Sequence, residues 1–96
     1  MSTITAQFET GSLGRRRAQA DFLRFHKHAR LSFPGFQVVD KVSTTDQGTG
    51  ETQLGLSFYT AADEKKVRDT LADLRPSLDD LVTLQDITTE EDPQIW

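Results

Sequence analysis

Cysteine is absent from this chain, which excludes disulfides, thiolate metal sites and cysteine nucleophiles at once. Tyrosine and tryptophan occur once each and proline three times, so no proline-rich segment is available. Long apolar runs are missing too; nothing approaches the roughly 20 residues that a bilayer-spanning helix needs. Met1 is followed by the polar stretch Ser2–Thr5, without the basic start and apolar run of a secretory signal. These absences lead us to expect a cytoplasmic protein that uses no membrane, no metal and no cofactor.

What is present suits one small domain. The 96 residues are 35% hydrophobic, enough for a single modest core and too few for two. The net charge of −4 is unevenly spread: residues 1–48 carry seven Lys/Arg against four acids, and residues 49–96 carry four against eleven. A basic first helix next to an acidic second half can pair internally, or it can present a two-signed surface to a partner.

Six periodic segments follow one another. Ile4, Ala6 and Phe8 alternate with Thr3, Thr5, Gln7 and Glu9, the period of a half-buried strand. Ala18, Phe22, Phe25 and Ala29 then recur every three or four residues, which predicts a helix over about 15–30 with Arg17, Asp21, Arg24 and His28 on another side. Pro34-Gly35 ends that unit. Phe36–Val42 and Thr52–Tyr59 read as strands around a 43–51 loop rich in Gly, Thr and Asp. Thr60-Ala-Ala-Asp63 has capping-box spacing, Val67, Leu71 and Leu74 form the stripe of a second helix, and Pro76 is expected to close it. Leu81–Ile87 reads as a last strand.

Two strand–helix–strand units joined by a hairpin define the ferredoxin-like βαββαβ sandwich, an α+β fold with a four-stranded antiparallel sheet and two helices on one face. Residues 1–88 are expected to form this single domain, and 89–96 an acidic C-terminal tail. Strict alternation gives the sheet's other face to Thr3, Thr5, Gln7, Gln37, Val39, Lys41, Gln53, Gly55, Ser57 and Tyr59, a mostly polar set.

Four groups could carry chemistry. His26 and His28 stand about 200° apart around a helix and cannot chelate one metal; His26 reads first as a packing residue and, as an alternative, as a pocket group together with Ser57 and Tyr59. Ser12, Gly14, Arg15 and Arg16 at a glycine-containing helix start could hold an anion. Gly11–Arg17 resembles the phosphate loop of acylphosphatases, which implies anion binding, but Thr44 stands where that family's water-orienting asparagine would be required. Leu54–Tyr59 has the rhythm of an RNA-recognition strand, yet Leu56 and Phe58 take the core parity, so nucleic acid is not an expected partner. Finally, Glu90, Glu91, Asp92 and Trp96 form an acidic segment with an aromatic anchor.

The stretch from Phe22 through Pro34-Gly35-Phe36 into the third strand resembles the dimeric α+β-barrel proteins that include antibiotic-biosynthesis-monooxygenase-like domains. That resemblance implies a homodimer with a small-molecule pocket between the first helix and the sheet. The reading placed ahead of it is a small acidic module, without enzymatic activity, that occupies a partner protein through Tyr59, Trp96, Glu90, Glu91 and Asp92. A phosphate site at residues 11–17 ranks third.

Overall fold

A computed structural model of the protein describes residues 1–11 and 13–91. The elements run β1 (Ser2–Glu9), α1 (Arg15–Ser32), β2 (Gln37–Thr45), β3 (Thr52–Thr60), α2 (Glu64–Asp79) and β4 (Leu84–Glu91). The sheet order is β2-β3-β1-β4, and every adjacent pair is antiparallel. Together with two helices on one face, this is the ferredoxin-like fold.

The core lies between sheet and helices. Ile4, Ala6 and Phe8 of β1 and Leu54, Leu56 and Phe58 of β3 are buried against Ala18, Phe25 and Ala29 of α1 and Val67 of α2. Phe8 meets Phe25 edge-on at 5.9 Å, Phe25 meets Phe58 at 6.2 Å, and Phe58 also packs on Phe33 and Phe36. This aromatic chain fills the space between α1 and the sheet, and edge contacts of this kind add to area burial. Thr60 closes the end of β3 by donating its hydroxyl to the Pro34 carbonyl at 2.7 Å, and the Ala61 N–H donates to the same oxygen at 2.9 Å. Gly35, at φ 64°, passes so close that a Cβ there would sit 3.1 Å from the Ala61 side chain. Only glycine suits both the positive φ and the tight approach.

Several sequence expectations change on contact with the structure. α2 begins at Glu64 with Asp63 as N-cap, its carboxylate accepting from the Lys66 N–H at 2.8 Å; Thr60 is already committed to Pro34. The same helix runs through Pro76 to Asp79, because continuing it buries Leu78 and the loss is one backbone bond near the end. β4 starts at Leu84 and extends to Glu91, so Thr89, Glu90 and Glu91 pair with Ile4, Thr3 and Ser2 of β1. In the β2–β3 hairpin, Asp46 orders the turn by accepting from the Gly48 and Thr49 N–H groups at 2.8 and 3.2 Å.

The largest displacement from expectation in position is Asp21. Its neighbours in sequence suggest a surface helix charge, yet it is 1% exposed. Oδ2 accepts from the Thr83 hydroxyl at 2.6 Å and from the Thr83 N–H at 3.0 Å. Oδ1 lies 3.2 Å from Arg17 Nε, a contact of opposite charges without hydrogen-bond alignment, while Arg17 also donates to the Asp80 carbonyl at 3.1 Å. This group bolts α1 to the turn that launches β4. Removing the carboxylate leaves buried donors and half an ion pair unmatched. Asp21→Ala should therefore lose about 3 kcal/mol in urea unfolding, whereas Leu23→Ala at an exposed position on the same helix should stay within about 0.5 kcal/mol.

Candidate functional site

A strand sends alternate side chains to opposite faces, and both edge strands break that rhythm once. On β2, Val38 pairs with Phe58 and Asp40 with Ser57, leaving Val39 as an extra, bulged residue. The parity therefore flips. Lys41 lies opposite Leu56, on the helix side, and Asp40, Val42 and Thr44 lie opposite Ser57, Gly55 and Gln53 on the open side. This corrects the face read from strict alternation, which gave Lys41 to the open side. On β4 a second shift at Gln85 puts Asp86, Thr88 and Glu90 opposite Gln7, Thr5 and Thr3.

The open face is thereby laid out in rows. Gln37, Tyr59, Thr3 and Glu90 cross all four strands; below them run Asp40, Ser57, Thr5 and Thr88, and then Val42, Gly55, Gln7 and Asp86. Thr44, Gln53 and Glu9 finish the pattern. Small groups fill the middle, where the Thr5 and Ser57 hydroxyls share a 3.0 Å hydrogen bond and Gly55 leaves room for the Gln7 side chain. Carboxylates stand at the margins: Asp40 on one edge, Asp86 and Glu90 on the other, and Glu9 at the end, where it accepts from Gln53 Nε2 at 3.3 Å. With strands about 4.8 Å apart, the two acidic edges are about 14 Å from each other. That width admits one helix or an extended segment.

Charge is sorted by layer. Ten of the eleven Lys/Arg lie in α1 and α2, and the eleventh is Lys41, turned to the helix side. Among the described residues the open face consequently carries four carboxylates and no basic side chain. The asymmetry that appears along the sequence as basic first half and acidic second half becomes, in space, a mixed helical layer behind an acid-only sheet face.

The sequence-derived candidates fall in different places. Tyr59 and Glu90 share one row of the open face, joined through Thr3, and the half-buried Tyr59 touches Met1 through its hydroxyl. Glu91, opposite Ser2, takes the helix-side parity. Asp92 and Trp96 lie outside the described residues, as does Ser12. His26 packs edge-on against Phe36 at 5.3 Å on the helix side, so the sheet separates it from Ser57 and Tyr59. Gly14 is the N-cap of α1 at φ 85° with no side-chain cap, and Arg15 and Arg16 are exposed beside it. Asp40, Glu9 and Asp86 were not singled out from sequence; only the strand register brings them to this face. Among the described residues no group of three His, Cys, Asp or Glu is placed to hold a metal ion, and no helix is long and apolar enough to cross a membrane.

No family model matches the chain, and no curated protein matches it by sequence. Solved structures do match in shape. The de novo designed protein Foldit4 superposes with a TM-score of 0.67 at 7% identity, covering 96% of this chain and 98% of its own. The C-terminal domain of the MgtC protein from Mycobacterium tuberculosis gives 0.53 at 6%, covering 93% and 83%. A protein described as an antibiotic biosynthesis monooxygenase from Deinococcus radiodurans gives 0.48 at 12%, covering 100% and 96%, too distant to carry an argument. At these identities the likeness shows the fold alone.

His26 supplies a pH signature for the helix side. Burial, then Lys41 and Arg30, lower its pKa below 6.5, so the folded state favours the neutral ring and binds fewer protons than the unfolded chain. The stability this provides is present above pH 6.5 and is lost as pH falls through the lowered value. His26→Gln should remove that part of the acid slope. In urea midpoints, the gap between variant and wild type should change from pH 7 downward and level off once both His26 states are protonated.

Proposed function

We propose that this chain is a protein-binding module without catalytic activity of its own, and that its open sheet face is the docking surface for a basic segment of a partner protein. One observation carries the reading: the face bears four carboxylates around a centre of small hydroxyl and glycine residues, and every Lys and Arg lies in or faces the helical layer. Such a one-signed surface steers an opposite charge toward it and rejects like-charged partners. Tyr59 supplies the amphipathic contact in the top row, with Glu90 at the margin of that row.

The same charge weighs against the dimeric barrel. Packing two open faces together would bring four carboxylates from each copy into one interface with no base to meet them. The pocket expected with that dimer also lacks its parts, since His26 lies across the sheet from Ser57 and Tyr59.

A defined probe tests the proposal: a synthetic 18-residue amphipathic helix with lysines along its polar face, compared with its glutamate counterpart. The lysine peptide should bind and the glutamate peptide should not. Reversing Asp40 and Glu9 to lysine on the open face should weaken binding about tenfold at low salt, while reversing Asp69 and Asp73 on α2 should change it less than about twofold. Equal losses from both pairs would mean that net charge alone attracts the peptide, and the docking face would be abandoned.

A further inference from the structure

β4 is an edge strand with β1 as its partner among the described residues. Past the shift at Gln85 it runs regularly from Asp86 to Glu91, about 20 Å of backbone whose outer N–H and C=O groups meet no ladder among the described residues. β2, the other edge, is interrupted mid-strand by the Val39 bulge, which twists an edge away from further pairing.

Beside β4, on the helix side, α2 does not close over the sheet. A groove of about 810 Å³ opens there, with Leu71, Leu78, Leu81, Val82, Leu84 and Ile87 along it. Val82 is 53% exposed, and Leu84 and Ile87 are only half covered. Asp79 and Asp86 stand at the rim with Arg75 as the single base. A strand edge and a groove that sets leucine, valine and isoleucine side chains among charged and polar ones therefore run side by side, with Glu91 on the same side further along β4.

We infer that the β4 edge and the α2–β4 groove together form a strand-addition site for an extended segment of alternating apolar and basic residues. Main-chain hydrogen bonds to β4 would hold such a segment, its apolar side chains would enter the groove, and its basic side chains would face Asp86 and Glu90. Charge selects this occupant. A second copy pairing through its own β4 would set Asp86, Glu90 and Glu91 against the same acids, an arrangement that keeps edges apart. A basic strand removes that repulsion. The site shares Asp86 and Glu90 with the margin of the open face but is distinguished from it by its need for the β4 backbone and the groove rather than the Thr5–Ser57 centre.

The test uses the full chain, isotope-labelled, and a seven-residue peptide alternating leucine and lysine. Binding should shift the amide resonances of residues 86–91 and of Leu71 and Val82, and should weaken as salt rises. N-methylation of the peptide at alternate amides should weaken binding at least about tenfold in one register and little in the other, and Val82→Asp in the groove should weaken it similarly. Four results would overturn the inference. The peptide could fail to bind the full chain, or bind only a chain cut after Glu91, which would give the edge to residues 92–96. It could bind equally with either set of amides methylated. It could also shift Thr3, Thr5 and Ser57 instead, which would assign it to the open face and leave the proposed function standing alone.

Discussion

A β-strand has two sides, and each residue must take one of them. The surface of this molecule depends on that constraint and on the two places where it slips. In β1 and β3 the alternation is unbroken, so Ile4, Ala6, Phe8, Leu54, Leu56 and Phe58 all reach the core and Thr3, Thr5, Ser57 and Tyr59 all reach the open side. In β2 and β4 one extra residue resets the count. A one-residue change in register moves every later side chain to the other face. Lys41 goes to the helices and Asp40 to the open sheet, and a mixed face becomes an acidic one.

The helical layer has a matching role. It holds nearly all the positive charge and shields the aromatic core, while Asp21, Arg17 and Thr83 tie its first helix to the start of β4. That tie is a buried carboxylate rather than an apolar contact, so it costs stability to desolvate and returns it through geometry. Its consequence is positional: β4 starts where Thr83 is held, and its acids therefore fall opposite Gln7 and Thr3. The layout of the open face and of the β4 edge both rest on this anchoring.

Much of the fold was legible in the sequence because β1, β3 and α1 each carry one clean period. The element order and the sandwich follow from those segments and their turn residues. The bulges were not legible. Gln37-Val38-Val39-Asp40-Lys41-Val42 is compatible with either parity, and the choice is made by pairing with β3. Asp21 was misplaced for a related reason: its partner Thr83 is 62 residues away, and helical spacing alone puts it among surface charges. Tyr59 and Glu90 were both candidates from the sequence, but their neighbourhood through Thr3 comes from β1 lying between β3 and β4. The remaining acids of the face carry no local signal; topology collects them.

The central claim is the separation of charge across the sheet, and it can be measured directly by the relaxation that charged paramagnetic co-solutes impose on methyl groups. A cationic and an anionic nitroxide of equal size would be added in turn to methyl-labelled protein. Val42, Thr44 and Thr88 on the open side should relax faster with the cationic probe, and exposed Leu23 and Leu31 on basic α1 faster with the anionic one. Equal relaxation of Val42, Thr44 and Thr88 by both probes, or a preference for the anion, would contradict the account.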